Sequence, residues 1–163
     1  TIEEDIFKRT PKDYYGLSKN IIAKKALTAN NFYNLRLFGC FNENELDSRF
    51  IKSCILKSRI NETITIHEDK IMDFFYIGDL ILILKYALLV DLAYQDINLS
   101  YKNKYKLSQI AKKIINESDS KSNLIIQNQN GLNYNGCFDK LLSLPITLTG
   151  FEIGLQKTII NIK

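Results

Sequence analysis

The sequence predicts an α/β protein. Strand-like and helix-like segments alternate along nearly the whole chain, which is the pattern of a parallel sheet crossed by helices. Its 163 residues suit one domain or a little more, and its 45% apolar and 25% charged content is that of a globular protein. A chain of this length buries roughly 70% of its unfolded surface.

The elements follow in order. From Tyr15 to about Asn30, apolar residues at 17, 21, 22, 26 and 27 face away from a polar side, which is helical spacing. Residues 33–41, rich in aromatics and alternating, read as a strand. Asp47 is expected to cap a helix running to about Ile60, with Phe50, Ile51, Cys54 and Ile55 inward. Residues 63–68 and 72–77 are two short strands. Gly78 and Asp79 open a helix through Val90, with Asp79 as its cap. That helix is apolar nearly all round, so thorough burial is expected. Residues 96–101 form a strand, and Lys106 to Glu117 an amphipathic helix with Leu107, Ile110, Ala111, Ile114 and Ile115 inward. After a polar loop at 117–123 come a strand at 123–127, a turn-rich loop at 128–136 and a closing helix at 151–160. There is no internal repeat.

Composition excludes several classes of function. The net charge is +4, but the charges are scattered and the densest basic stretch, Lys102 to Lys106, is short, so no nucleic-acid footprint is read. The most apolar stretch, 71–94, is interrupted by Asp73, Asp79, Lys85 and Asp91, too many charges for a membrane span. Cys40, Cys54 and Cys137 are odd in number and far apart, and His67 is the only histidine. Neither a metal site nor a disulfide framework is expected, and the compartment expected is a reducing cytoplasm. The cysteines read as small core residues and His67 as a surface residue at a strand end.

Five stretches carry a resemblance. They are "TPKDYYGLSK" at 10–19, "NLRLFGCF" at 34–41, "MDFFYIGDLILILKYAL" at 72–88, "DINLSYKNKYKLSQIAKKI" at 96–114 and "FDKLLSLPITLTGFEIGLQKTI" at 138–159. Each motif is loose; five in the right order are specific. Together they resemble the C-terminal half of the extended short-chain dehydrogenases, the NAD-dependent sugar-nucleotide epimerase and dehydratase family. The resemblance implies the last strands of a Rossmann-type doubly wound sheet, over about 1–42 and 72–101, and a small α/β substrate-binding domain over 43–71 and 102–163. It also implies NAD or NADP as cofactor, a sugar nucleotide as substrate, a homodimer built on the helix of Tyr15, and a place in polysaccharide or glycan precursor synthesis.

The family's glycine fingerprint is absent. The seven glycines, at 16, 39, 78, 131, 136, 150 and 154, give no Gly-x-Gly-x-x-Gly. The N-terminal glycine-rich half is therefore expected to lie outside this chain, and the isolated chain is expected to be inactive.

The resemblance also implies the site. Tyr15 and Lys19 stand four apart, so on a helix they share a face. A free phenol has a pKa of about 10. A lysine ammonium within ~4–6 Å favours the phenolate, so Tyr15 would be the general acid/base and Lys19 would tune it and hold the nicotinamide ribose. Phe38 falls where the family approaches the nicotinamide, with a core aromatic as the competing reading. Gly39 stands where many members carry an asparagine that touches the sugar nucleotide, so that contact is lost or made by backbone. Arg49 offers a bidentate donor to a diphosphate, with a solvated arginine as the alternative. Met72 replaces an arginine of the family's diphosphate clamp. A protein of the same fold that senses dinucleotides or acts as a scaffold, without turnover, is the rival reading. A split subunit completed by another chain is a third.

Overall fold

In a computed structural model, which describes residues 1–29 and 32–162, strands and helices alternate around three parallel strand pairs. β1 (Asn34–Leu37) pairs with β5 (Asp96–Leu99), β2 (Cys40–Phe41) with β4 (Phe75–Tyr76), and β3 (Ile64–Glu68) with β6 (Leu124–Asn128). Parallel neighbours need long crossovers, and helices lie in them. α1 (Asp5–Lys8) and α2 (Tyr14–Ala26) precede β1, and α3 (Phe50–Arg59) lies between β2 and β3. α4 (Ile77–Leu89) joins β4 to β5, α5 (Leu107–Glu117) joins β5 to β6, and α6 (Asp139–Leu142) and α7 (Phe151–Asn161) close the chain.

The single strand expected over 33–41 is two. The chain changes partner at Phe38 and Gly39, leaving β5 and joining β4. Asp47 is not the cap of α3. Arg49 occupies the N-cap position with extended backbone, and Asp47 lies 3.0 Å from Lys52 Nζ instead. Asp79 does not cap α4, whose N-cap is Tyr76; Asp79 sits inside the first turn and binds the loop before α7. The expected end of the first helix at Asn30 falls outside the described residues, and the regular helix stops at Ala26. α1 and α6 are single turns, too short to show a helical period in sequence.

Two buried clusters hold these layers. One gathers Phe41, Ile51, Cys54, Ile55, Ile64, Ile66, Ile110, Ile114 and Leu155, where α3, α5 and α7 meet the β2–β4 and β3–β6 pairs. Gly154 lets α7 come close: a β-carbon there would lie 2.6 Å from Tyr76 Cγ. The other cluster places Ile83 of α4 and Leu141 of α6 on Ile97 and Leu99 of β5. α4 corrects the expectation of full burial. Only Asp79 and Ile83 are buried on it, and Leu88 and Leu89 are each 85% exposed. A helix can be apolar on every side and still find a single neighbouring layer.

β1 and β5 are two-sided in chemistry. The register sets Arg36 beside Asn98 and Asn34 beside Asp96, while Leu35 and Leu37 match Ile97 and Leu99 on the opposite face. Buried parallel strands commonly read as apolar throughout; here the polar face is paired internally in part, with Arg36 Nε and Asn98 Oδ1 buried and unpartnered. Asn34 Nδ2 donates to Asp96 Oδ1 at 2.8 Å, and the Arg36 guanidinium pairs with the same carboxylate and donates to the Glu3 carbonyl at 2.9 Å. Burial still pushes the Asp96 carboxyl above its ordinary range, against the pull of Arg36.

Candidate active site

α2 is built to present its first turn. The Asp13 carboxylate accepts the Gly16 N–H at 2.7 Å, an N-cap bond. A β-carbon at Gly16 would lie 2.8 Å from that carboxylate and from Pro11 Cβ, so glycine leaves room for the cap to fold over the turn. The residues between cap and glycine point outward: Tyr14 is 92% exposed and Tyr15 74%. Ser18 Oγ donates to the Tyr15 carbonyl at 2.7 Å. Lys19, one turn on, places its Nζ 5.6 Å from the centre of the Tyr15 ring.

The structure thus brings Tyr15 and Lys19 together, ammonium over aromatic face, on an exposed surface. The contact is of cation–π type, the ammonium facing the ring. The inward side of α2 is not its apolar one. Asn20 and Ala23 are buried, Asn20 Nδ2 donating to the carbonyl of Ile6 at 3.1 Å, while Ile21 and Ile22 are exposed.

Phe38 and Gly39 form a second group where the chain passes from β1 to β2. Phe38 is half-buried, its ring edge-to-face with Tyr134 at 5.1 Å. Gly39 is packed tightly: a β-carbon would lie 3.0 Å from both the Asp73 carbonyl oxygen and Phe74 Cδ1. Its own carbonyl accepts the Phe75 N–H at 2.8 Å. Phe74 thus fills the space a side chain at 39 would need. Arg49 is exposed at the start of α3, next to Phe50, which stacks on Phe74 at 5.8 Å. Arg49 and Gly39 therefore flank the same aromatic pair. Met72 lies two residues before Phe74, its N–H donating to the Tyr105 carbonyl at 3.4 Å.

Sequence reasoning missed the charges beneath this region. Asp73, 7% exposed at its side chain, accepts from Ser100 Oγ at 2.5 Å, from Lys104 Nζ at 2.7 Å and from the Gly136 N–H at 2.9 Å. Lys104 lies in the stretch read only as a short basic run. Nothing in spacing joins it to a carboxylate so far upstream.

Among the described residues, no three His, Cys, Asp or Glu side chains gather to hold a metal, and no helix is long and apolar enough to cross a membrane. Burial pushes the Cys54 thiol up to about 12. His67 is exposed and shares a hydrogen bond with Gln127 across β3 and β6 at 2.6 Å.

No family model matches the sequence, and no curated protein matches it. Solved structures do match in shape. A GDP-L-fucose synthetase from Naegleria fowleri bound to NADP superposes with a TM-score of 0.76 at 15% identity, over 97% of this chain and 59% of that one. MoeE5 in complex with UDP-glucuronic acid and NAD gives 0.75 at 17% identity, over 98% and 58%. UDP-N-acetylglucosamine 4-epimerase from Bacillus cereus gives 0.70 at 21% identity, over 91% and 53%. The likeness establishes the fold, α/β of Rossmann type, and the chain spans a little over half the length of each of these structures.

Proposed function

We propose that this chain is the C-terminal part of an NAD(P)-dependent sugar-nucleotide epimerase, dehydratase or reductase. The observation that carries the reading is the Tyr15–Lys19 pair, exposed on the first two turns of α2 with the ammonium 5.6 Å from the ring centre. The named activities and bound molecules of the structurally similar proteins support it. When bound, NAD or NADP supplies a hydride acceptor. Tyr15 takes the proton of a sugar hydroxyl as the same carbon gives up its hydride, and in the reverse direction returns that proton to the alkoxide. Lys19 favours the phenolate throughout and holds the cofactor ribose. In this reading Arg49 and the backbone of Gly39 would contact the nucleotide, and Phe38 the nicotinamide.

The chain carries no glycine fingerprint among its seven glycines, so the pyrophosphate cradle belongs to residues outside it, and the chain alone is inactive. The sheet side (1–42 and 72–101) and the substrate side (43–71 and 102–163) are its two parts. The two buried clusters follow this division only in part: Phe41 and Phe74 of the sheet side pack with α3, α5 and α7, and Leu141 and Leu144 of the substrate side pack with β5. Exposed Ile21 and Ile22 on α2 support a homodimer through that helix.

A second reading, a dinucleotide sensor or scaffold without turnover, draws on Gly39 and Met72. Phe74 occupies the side-chain space at 39, and a thioether stands where a diphosphate clamp needs charge. Cofactor titration tests the main reading. The chain alone should show no saturable NAD binding, and the chain joined to a half bearing the glycine fingerprint should show it. Tight binding by the chain alone, or none by the joined protein, contradicts the proposal.

A further inference from the structure

We propose that Lys104 is a positioning residue that sets the ring of Phe38 by gripping the peptide of Gly136. Lys104 stands on the loop between β5 and α5, its side chain 20% exposed. Its Nζ lies 2.7 Å from Asp73 Oδ2 and 2.9 Å from the Gly136 carbonyl oxygen, with a further contact to Ser100 Oγ. Asp73 Oδ2 in turn accepts the Gly136 N–H at 2.9 Å. One ion pair therefore reaches both polar groups of a single glycine, the anion its N–H and the cation its C=O, which also lies 3.1 Å from Ser100 Oγ. Charge-assisted hydrogen bonds are roughly twice as strong as neutral ones, and a pair this shielded is screened less than an exposed one.

Phe38 rests on what that pair holds. A β-carbon at Gly136 would lie 2.5 Å from Phe38 Cε2 and 2.8 Å from Cζ, so the ring lies directly on the bare α-carbon. Tyr134 closes the neighbouring edge at 5.1 Å. Tyr134 is itself tied to the chain before β4, its N–H donating to the Ile71 carbonyl at 2.8 Å and its carbonyl accepting the Asp73 N–H at 3.1 Å. Those ties run along one segment. The Lys104 contact adds a tie from a different element, and a drift of Gly136 passes straight to the ring. The functional consequence rests on the reading of Phe38 as a cofactor-side residue; the coupling itself does not.

Fluorine NMR of the chain, labelled with fluorophenylalanine, tests the coupling. Phe38→Leu identifies the Phe38 resonance. In Lys104→Met that resonance should move while those of Phe41, Phe75 and Phe151 in the buried clusters stay, and Lys104→Arg should return it most of the way. A stationary Phe38 resonance in folded Lys104→Met overturns the proposal, as does a shift of all resonances together. If Lys104→Met does not fold, Lys104→Gln, which removes the charge and keeps a donor, is read by the same two criteria. The same variants in the chain joined to a cofactor-binding half give a separate readout. Severalfold weaker NAD binding is expected there. A moved ring with unchanged NAD affinity keeps the role of Lys104 and removes the cofactor reading of Phe38.

Discussion

Tyr101 donates its hydroxyl hydrogen to Asp79 at 2.5 Å, and the same carboxylate receives the backbone N–H groups of Thr149 and Gly150 at 2.7 and 2.9 Å. Asp79 is fully buried, so this one side chain joins the segment after β5, α4 and the entry to α7 away from water. Burial and the carboxylate together push the Tyr101 phenol up. Asp79→Ala strands three donors, each costing about 1–3 kcal/mol when buried without a partner. A loss of several kcal/mol is expected in chemical denaturation, larger than for any surface aspartate such as Asp47.

The cluster of Tyr105, Glu152 and Lys113 should shape the pH dependence of stability. Burial raises the Glu152 carboxyl, but the Tyr105 hydroxyl and the Lys113 ammonium outweigh it and hold it below its ordinary 4.5. Its contribution is present above that value and is lost as pH falls through the folded-state pKa. Burial and then the hydrogen bond to Glu152 push Tyr105 up to about 12 from 10. That contribution is present below pH 10 and is lost as pH rises through about 12. Melting curves across pH check both signs: Glu152→Gln should flatten the acid limb and Tyr105→Phe the alkaline limb.

Cysteine labelling separates the three thiols. Cys54 is buried with its pKa pushed up to about 12, whereas Cys40 and Cys137 are partly exposed. At mildly alkaline pH, Cys40 and Cys137 should react while Cys54 waits for unfolding. Mass spectrometry of partly labelled chain reads the order, and early modification of Cys54 would contradict the packing of α3.

The outward face of α4 should tolerate charge. Leu88→Lys and Leu89→Lys replace side chains that are each 85% exposed, so stability should change by no more than about 0.5 kcal/mol. Any self-association of the chain through this face should weaken in light scattering.

Much of this architecture was legible in sequence because periodicity reports burial. Leu107, Ile110, Ala111 and Ile114 line one side of α5 at helical spacing, and all four are buried. The spacing of Tyr15 and Lys19 also suffices to place them on one face. What could not be read depends on contacts between distant residues. The break at Phe38 and Gly39 arises because β5 and β4, not the local sequence, choose the partners of β1 and β2. The N-cap of α3 is Arg49 rather than Asp47, and Asp47 pairs with Lys52, a contact that spacing alone does not announce. Apolarity all round α4 signalled a layer on every side, where one suffices in this chain. The contacts of Lys104 with Asp73 and Gly136 join three separate loops, and no local pattern encodes them.

The most direct test is turnover of Tyr15→Phe in the chain joined to a half bearing the glycine fingerprint, followed by chromatographic detection of the product formed from sugar-nucleotide substrates. Removal of a positioned acid/base commonly costs about 10²–10⁴-fold in rate. A loss of that size with NAD affinity unchanged is expected if the phenol oxygen of Tyr15 moves the proton, since Tyr15→Phe leaves Lys19 in place. Undiminished turnover in Tyr15→Phe would contradict it and leave the Tyr15–Lys19 pair as surface residues on a helix.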